Sequence, residues 1–274
     1  MTPNQTTTSV APPFEALATM PAQRDLLRNK VAIITGASRG IGAAAARVFA
    51  QAGASVVLAA RNADALEVVA AGIRASGGQA LAVPTDVGDA LAVERLVKQT
   101  LDMYGRLDAA FNNAGEGHMP TPLADLTTED FDRAIRGILK GTFFSMKYEI
   151  PALLATGGGA IVNMASTAGL SGVRGMGAYV AGKHAVIGLT KSAALDYAAR
   201  GVRVNAVAPG PILSERILSL SEQAREPIMR AVPMGRIGWP EEVAYTAAWL
   251  CSDYASFITG ATLSIDGGRM AGGA

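Results

Sequence analysis

Several residue types are scarce in this chain of 274 residues, and each scarcity excludes a class of protein. A single cysteine, Cys251, excludes an internal disulfide and a zinc site built from cysteines. Two histidines, His118 and His184, leave few ligands for any other metal site. With 24 basic and 23 acidic residues the formal net charge is +1, so no overall field attracts nucleic acid or an anionic membrane. Aromatic residues make up 5%, too few for a surface on which single-stranded bases stack.

Long apolar runs are also missing. None approaches the roughly 18 residues that a membrane-spanning helix needs. Residues 1–29 lack the basic segment and apolar stretch of a secretory signal, and their threonines, serine and prolines have little to bury. We therefore predict a flexible extension over residues 1–29 and a cytoplasmic protein that does not associate with membranes.

From Lys30 onward, short apolar strands alternate with helical segments. Half of all residues are hydrophobic, which is enough to bury a large core. Because strand–helix alternation without a linker is typical of parallel sheets covered by helices, residues 30–274 are predicted to form one doubly wound α/β domain. The predicted strands are 31–35, 54–60, 79–84, 107–112, 160–163, 202–208 and 261–265. Predicted helices cover 40–52, 63–76, 90–104 and 178–199, with others beginning at Thr127 and near Pro240.

A glycine-rich loop directly follows the first predicted strand and opens a helix. It reads TGASRGIG over residues 35–42. The glycines allow a tight turn and a close approach to a pyrophosphate, and the helix N-terminus offers free N–H groups. A purely structural turn is the alternative, which the strand–turn–helix context disfavours. The spacing G-x-x-x-G-x-G, without a following Lys-Ser or Lys-Thr pair, excludes an ATP-type phosphate loop.

The end of the second strand carries no carboxylate for the ribose hydroxyls of NAD, since residues 58–62 read LAARN. Arg61, helped by Arg39 in the glycine-rich loop, can instead meet a 2′-phosphate through charge-assisted hydrogen bonds. Solvated surface arginines are the alternative. The sequence therefore favours NADP over NAD.

Tyr179 and Lys183 lie one helical turn apart, on the same face of a predicted helix. Ser166 precedes them, just past the end of the fifth strand. A phenol has a reference pKa of about 10, and a neighbouring ammonium lowers that pKa toward the working range of an acid or base. A tyrosine and a lysine at this spacing also occur on ordinary helices, so the pair alone does not define a site.

Taken together, these residues resemble the short-chain dehydrogenase/reductases, in the single-domain branch. The resemblance runs from about Lys30 to Arg269. It rests on the loop at 35–42, Asp86-Val87, NNAG at 112–115, Ser166, Tyr179 with Lys183, Pro209-Gly210 and IDGG at 265–268. It implies a Rossmann-type, doubly wound parallel sheet of about seven strands with helices on both faces, in three layers α/β/α. It also implies hydride transfer between NADP(H) and a small carbonyl or secondary alcohol, in a homotetramer.

The resemblance implies a role for each matching position. Ser166 would orient the substrate oxygen, and Tyr179 would act as general acid or base. Lys183 would lower the pKa of Tyr179 and hold the nicotinamide ribose. Asp86 would accept a hydrogen bond from the adenine amino group. The implied cofactor-binding residues are Gly36, Ser38, Arg39, Gly40, Ile41, Gly42, Arg61, Asp86, Val87, Asn113, Gly115, Tyr179, Lys183, Pro209, Gly210, Ile212 and Ser214.

One position departs from the family's pattern. Most relatives carry an asparagine in the long central helix, where it holds a water in a proton relay, and Ile138 occupies that place. An isoleucine side chain can neither donate nor accept a hydrogen bond. A catalytically weak, cofactor-binding regulator therefore stays open as a second function. A sugar-nucleotide epimerase or dehydratase is disfavoured by the glycine spacing.

Two further groups of residues bear on the substrate. His118 follows the NNAG motif in a loop that faces either the substrate or solvent. Four methionines fall in segments that border the pocket in relatives: Met119, Met176, Met229 and Met234. They suggest an apolar, adaptable pocket, although methionine more often simply fills space.

Overall fold

Seven parallel strands form one sheet in residues 25–272, the part of the chain that the computed structural model describes. The strands are β1 (Val31–Thr35), β2 (Ser55–Ala60), β3 (Gln79–Pro84), β4 (Ala109–Asn112), β5 (Gly159–Met164), β6 (Val202–Pro209) and β7 (Thr262–Ile265). Their order is β3-β2-β1-β4-β5-β6-β7. The strand order reverses between β1 and β4, so a ligand site is expected at the carboxyl ends of these two strands.

Helices cover both faces of the sheet. They are α1 (Gly40–Gln51), α2 (Ala63–Ala75), α3 (Ala90–Tyr104), α4 (Thr128–Ile135), α5 (Gly141–Ala155), α6 (Gly177–Tyr197), α7 (Glu215–Leu218), α8 (Glu222–Arg230) and α9 (Pro240–Cys251). Thr127 caps α4, because its side chain accepts from the Asp130 N–H at 3.1 Å, as the sequence predicts. Between residues 25 and 272, no helix is both long enough and apolar enough to span a bilayer.

The side chains of β1 alternate between two separate cores. Ala32 and Ile34 are fully buried in the core that contains Phe49 of α1. Ile33, also fully buried, belongs to the core that contains Leu153 of α5. Because a strand buried on both faces needs a layer of helices on each side, the predicted three-layer α/β/α fold is confirmed.

The last residues of the predicted extension over residues 1–29 pack against the domain. Leu27 is fully buried in the core around α1, and its N–H donates to the Ala52 carbonyl at 2.8 Å. Two leucines, Leu26 and Leu27, followed by Arg28 and Asn29 have no helical or strand periodicity, so the sequence pattern does not reveal this contact. Residues 1–24 of the predicted extension lie outside the described residues, as do residues 273 and 274.

A turn of π-helix, Arg136–Lys140, separates α4 from α5. The sequence predicts one long helix from Thr127 and does not indicate this turn, because one extra residue in a turn barely changes the apolar periodicity. Such turns often occur at functional sites. Here the turn carries Ile138, whose side chain is 1% exposed.

A buried polar network ties the site-bearing elements together. The Asn112 amide at the end of β4 donates to Glu149 of α5 at 2.9 Å and to Asn163 of β5 at 3.1 Å. Asn163 in turn donates to the Thr190 hydroxyl of α6 at 3.0 Å. Burial raises the pKa of Glu149 to about 7, although its hydrogen bond with Asn112 acts in the opposite direction.

Candidate active site

A cavity of about 810 Å³ opens at the carboxyl edge of the sheet. It lies at the ends of β1, β4, β5 and β6, where the reversal of strand order predicts a site. The predicted residues that line it are Arg39, Gly40, Ile41, Asn113, Gly115, Ser166, Tyr179, Lys183, Pro209, Gly210, Ile212 and Ser214. The predicted residues outside its lining are Gly36, Ser38, Gly42, Arg61, Asp86 and Val87.

The glycine-rich loop forms one wall of the cavity. Gly36 and Gly40 have φ angles of +67° and +52°, in the left-handed region that favours glycine. A Cβ at Gly42 would lie 2.2 Å from the Gly36 carbonyl oxygen, so only glycine permits this close turn. At Gly40 no atom of the described residues lies within 4 Å of a Cβ position, which leaves the backbone open toward the cavity.

The first turn of α1 suits a phosphate group. Arg39 is its N-cap residue, and its side chain makes no capping hydrogen bond. The leading N–H groups of the helix therefore keep their capacity to bind an anion, and the helix dipole favours one there. With the open backbone at Gly40, this wall fits the pyrophosphate of a dinucleotide.

Asn113 fixes the glycine-rich loop to the loop after β4. Its side-chain amide donates to the Thr35 carbonyl at 3.0 Å. The Thr35 hydroxyl accepts in turn from the Ala114 N–H at 3.0 Å. The Asn113 side chain and the Thr35 hydroxyl thus hold the two loops together.

Ser166, Tyr179 and Lys183 come together in the lining of the same cavity. Ser166 follows β5 and accepts from the Ala168 N–H at 3.1 Å, which anchors its hydroxyl at the start of a short 3₁₀ turn. Lys183 is 3% exposed and donates to the Met164 carbonyl at 2.6 Å. Its Nζ lies 5.6 Å from the centre of the Tyr179 ring.

The pKa of Tyr179 differs from the expectation based on Lys183. Burial raises the pKa of Tyr179 above its usual value, and a side-chain hydrogen bond with Ser166 partly offsets this. Burial also lowers the pKa of Lys183 to about 8. The net pKa of Tyr179 is thus raised rather than lowered, because the loss of water disfavours the phenolate more than the Ser166 hydrogen bond favours it.

The chain matches known proteins along most of its length. A family model described as enoyl-(acyl carrier protein) reductase matches residues 36–269. The A-factor type gamma-butyrolactone 1'-reductase (1S-forming) of Streptomyces virginiae is 44% identical over 253 residues, which cover 91% of this chain and 98% of the relative. Cyclohexanol dehydrogenase of Acinetobacter sp. (strain SE19) is 45% identical over 239 residues, which cover 87% and 94%. The chain belongs to the short-chain dehydrogenase/reductase family.

A solved structure agrees with this assignment. Levodione reductase superposes with a TM-score of 0.87 at 33% identity, and the match covers 90% of this chain and 100% of that chain. This short-chain dehydrogenase/reductase is thus an oxidoreductase of alcohols or ketones that works with a nicotinamide cofactor.

The arginines predicted to select NADP both pair with glutamates in this short-chain dehydrogenase/reductase. Arg61 lies 3.2 Å from the Glu116 carboxylate, and Arg39 lies 3.5 Å from that of Glu215. All four side chains are exposed, so these pairs are weak and a phosphate can compete for either guanidinium. The acidic partners have no local sequence signal, since loops distant in the chain bring them to the arginines.

Asp86 and Val87 lie outside the cavity and support its wall. Asp86 accepts hydrogen bonds from the Gly88 N–H at 2.9 Å and from the Arg136 guanidinium at 2.8 Å. The Asp86 side chain is partly exposed. Val87 packs against Gly141, where a Cβ would lie 2.8 Å from a Val87 methyl group. Both residues therefore link the end of β3 to the π-helical turn and α5.

The segment after β6 closes the other side of the cavity. Gly210 lies so close to Asp266 that a Cβ would be 2.9 Å from the aspartate Cβ. Ile212 forms an isolated parallel bridge with Gly238. Ser214 then caps α7 without a side-chain hydrogen bond, so its hydroxyl is free to contact a ligand. Three charged lining residues were not predicted from the sequence: Glu116, Arg133 and Glu215.

Ile138 fills the space next to α6, the helix that carries Tyr179 and Lys183. A Cβ at Gly182 would lie 3.1 Å from a methyl of Ile138, and a Cβ at Gly115 would lie 3.3 Å from its Cγ1. The Ile138 carbonyl accepts from the Thr142 hydroxyl at 2.8 Å. The isoleucine therefore packs apolar atoms where most relatives carry an amide.

We expect Ile138→Asn to destabilise the protein by about 1–3 kcal/mol, because a buried amide would find few partners among these apolar neighbours. The measurement is the free energy of unfolding in urea. Ile138→Val is the matched control and should cost about 0.5–1.5 kcal/mol through lost packing alone. An asparagine variant as stable as the parent, with a raised kcat and a changed solvent isotope effect, would instead indicate a restored proton relay.

Proposed function

We propose that this chain transfers a hydride between NADP(H) and a ketone or secondary alcohol, with Tyr179 as general acid and base. The proposal rests chiefly on one observation: Ser166, Tyr179 and Lys183 line the same cavity as Arg39, Gly40 and Ile41 of the glycine-rich loop. The relatives named above are a gamma-butyrolactone 1'-reductase, a cyclohexanol dehydrogenase and a levodione reductase, which favours a cyclic or branched carbonyl substrate.

Each of the three side chains has a distinct task in this proposal. When bound, the reduced nicotinamide supplies the hydride that adds to the carbonyl carbon. The electron pair of the C=O bond moves to oxygen, which takes the proton from the Tyr179 hydroxyl. The Ser166 hydroxyl, held by the Ala168 N–H, donates to the same oxygen and orients it. In oxidation each transfer reverses, and Tyr179 receives the proton.

Lys183 stabilises the phenolate that proton donation leaves behind. Because its pKa of about 8 is above neutral pH, Lys183 remains mostly protonated at pH 7. Its hydrogen bond to Met164 directs the ammonium to the ends of β5 and α6, where the nicotinamide ribose would lie. The cofactor phosphates would meet the open backbone at Gly40 and the first turn of α1.

An assay distinguishes this proposal from a regulator that binds cofactor without turnover, which Ile138 keeps in consideration. A panel of cyclic and branched ketones is added to the protein with NADPH, and the near-ultraviolet absorbance of the reduced nicotinamide is followed. Steady loss of absorbance that depends on the ketone supports the enzyme. Saturable NADPH binding with no ketone-dependent loss across the panel would favour the regulator.

We propose that NADPH binds more tightly than NADH and that Arg61 is the main reason. Arg61→Asp should lower NADPH affinity about ten- to hundredfold, because it removes a charge-assisted contact to the 2′-phosphate and adds repulsion. NADH affinity should change little. The measurement is the Kd of each cofactor for parent and variant.

Two further variants sharpen this test. Arg95→Asp is the matched control, since Arg95 is an exposed arginine paired with Asp89 away from the cavity. Glu116→Gln should instead tighten NADPH binding, because it frees Arg61 from its carboxylate partner. Equal NADPH and NADH affinities in the parent protein would contradict the proposed preference.

We propose that the protein is a cytoplasmic homotetramer that pairs through α5 and α6. Phe143 on α5 and Leu195 on α6 are 46% and 85% exposed, and self-association would cover such apolar side chains. Light scattering at micromolar concentration should give the mass of four chains. Phe143→Glu and Leu195→Glu should reduce that mass, whereas Leu91→Glu on α3 should not. A monomer mass for the parent would refute the proposal.

A further inference from the structure

His118 lines the same cavity as Ser166 and Tyr179 but has no task in the proposed reaction. It lies in the loop after β4, and only 6% of the residue is exposed. The neighbouring Gly117 contacts the catalytic ring closely, since a Cβ there would lie 3.2 Å from Cδ2 of Tyr179. His118 therefore lies in a loop that contacts the Tyr179 ring.

The ring of His118 is oriented by the backbone of its own loop. Its Nδ1 lies 2.8 Å from the Met119 carbonyl oxygen. A carbonyl can only accept, so the hydrogen atom of this bond must be on Nδ1. In the neutral ring this tautomer leaves Nε2 without a proton and able to accept.

Nε2 of His118 is buried and has no hydrogen-bond partner among residues 25–272. Native proteins satisfy nearly all buried polar atoms, and an unpaired one indicates a missing ligand, water or functional group. Three other side-chain atoms of the described residues share this property, on Asn112, Glu241 and Thr262. None of those three residues lines the cavity, so His118 is the one that a substrate can reach.

We infer that His118 Nε2 accepts a hydrogen bond from a second hydroxyl group of the substrate. The inference rests on the proposed function and names its substrate class: a secondary alcohol with a hydroxyl on a nearby carbon, or the corresponding hydroxyketone. Because Gly117 contacts the Tyr179 ring, the loop that carries this acceptor lies beside the proposed proton donor. His118 is thus a specificity-determining residue and takes no part in proton transfer.

Access to Nε2 requires a local movement that the cavity permits. Met119 and Met176 both line it, and Met119 is 73% exposed. The Met176 Cε lies 3.3 Å from the Cβ position of Gly117, directly against the loop that carries His118. Unbranched thioether side chains change rotamer readily, so a hydroxyl group can displace them and reach the ring.

Matched substrates and matched variants test this role. The probes are cis-cyclohexane-1,2-diol and cyclohexanol, oxidised with NADP⁺ by the full-length protein. His118→Asn keeps a donor for the Met119 carbonyl but loses the Nε2 acceptor, whereas His118→Gln retains an acceptor near the Nε2 position. We expect His118→Asn to lower kcat/KM for the diol about tenfold. It should change kcat/KM for cyclohexanol by less than about twofold, and His118→Gln should recover most of the diol activity.

A measurement that does not need turnover accompanies the kinetics. The chain contains only two histidines, so ring ¹⁵N spectra resolve His118 from the exposed His184. We expect the Nδ1–H tautomer at His118, and an upfield shift of its Nε2 resonance when the diol is added to the complex with NADP⁺. Cyclohexanol should cause no such shift, and His184 serves as the internal reference.

The outcomes separate this inference from the proposed function. Oxidation of both alcohols with equal loss in His118→Asn would support the proposed function but overturn the inference, since His118 would then be structural. An Nε2–H tautomer, or an Nε2 resonance unmoved by the diol, also overturns it. If neither alcohol is oxidised, the proposed function fails for these probes, and the ¹⁵N shift still decides whether His118 binds the diol.

Discussion

Tyr179→Phe is expected to lower kcat by roughly 10²–10⁴-fold, because the variant lacks the hydroxyl that donates and receives the proton. The ring would still fill its place in the cavity wall, so NADPH affinity and the free energy of unfolding should remain close to those of the parent. The measurements are kcat with a ketone that the parent reduces, and the NADPH Kd from fluorescence titration.

Tyr197→Phe is the matched control for this substitution. Tyr197 lies at the end of the same helix, α6, and its ring faces Arg200 rather than the cavity. The Tyr197→Phe variant should have a kcat within about twofold of that of the parent. If Tyr179→Phe retains most of the parent's kcat, another group supplies the proton and the assignment of Tyr179 is wrong.

Lys183→Met should lower kcat/KM about a hundredfold or more, because the phenolate of Tyr179 loses the positive charge that stabilises it. NADPH binding should weaken as well, since Lys183 is proposed to contact the nicotinamide ribose. These losses are measured by steady-state kinetics and by titration with NADPH.

The same substitution should make the protein more stable at neutral pH. Burial lowers the pKa of Lys183 from 10.5 to about 8, so the folded state binds this proton less tightly than the unfolded chain does. This pKa difference corresponds to a destabilisation of about 3 kcal/mol by the charged lysine. In Lys183→Met the expected gain is smaller by about 1 kcal/mol, because the Met164 carbonyl loses its hydrogen-bond donor. Methionine carries no charge and removes this cost. The gain in the free energy of unfolding should therefore be largest below about pH 8, where Lys183 is charged in the parent.

The sign of the pH dependence provides the check. As pH rises from about 8 to 10.5, the unfolded chain still holds the Lys183 proton and the folded one does not, so the parent gains stability. Lys183→Met should lack this rise, and urea unfolding across the range measures both slopes. Lys191→Met, an exposed position on α6, is the control and should leave the slope unchanged. A stability difference between parent and Lys183→Met that stays constant over this range would show that burial does not lower the pKa of Lys183.

Much of the fold was predictable, because buried parallel strands carry a strong local signal. VAIIT at 31–35 and SVVLAA at 55–60 are apolar on both faces, and each leads into a glycine or a capping residue that begins a helix. Thr127 and Pro240 mark helix starts through their own side chains, since threonine accepts a hydrogen bond from a free N–H at the N-cap and proline suits the first helical position. The cavity-lining positions followed from motifs at the ends of these strands.

Long-range contacts account for what the sequence did not predict. Glu116 and Glu215 meet arginines that are distant in the chain, and only the folded loops bring those charges together. The raised pKa of Tyr179 depends on how completely its neighbours exclude water, which no spacing reveals. Leu27 is buried against the turn after α1, a contact that its short sequence segment, Asp25 to Lys30, does not indicate.

The buried carboxyl of Glu149 changes stability with pH in the direction opposite to that of Lys183. Its pKa is raised from 4.5 to about 7, so stability falls as the pH rises between these values and then levels off. Lys183 begins to restore stability only above about pH 8. From these two groups alone, the free energy of unfolding has a minimum between about pH 7 and 8, where both side chains are largely charged. The ionic form of Lys183 that the proposed reaction needs is thus the form that the fold tolerates least.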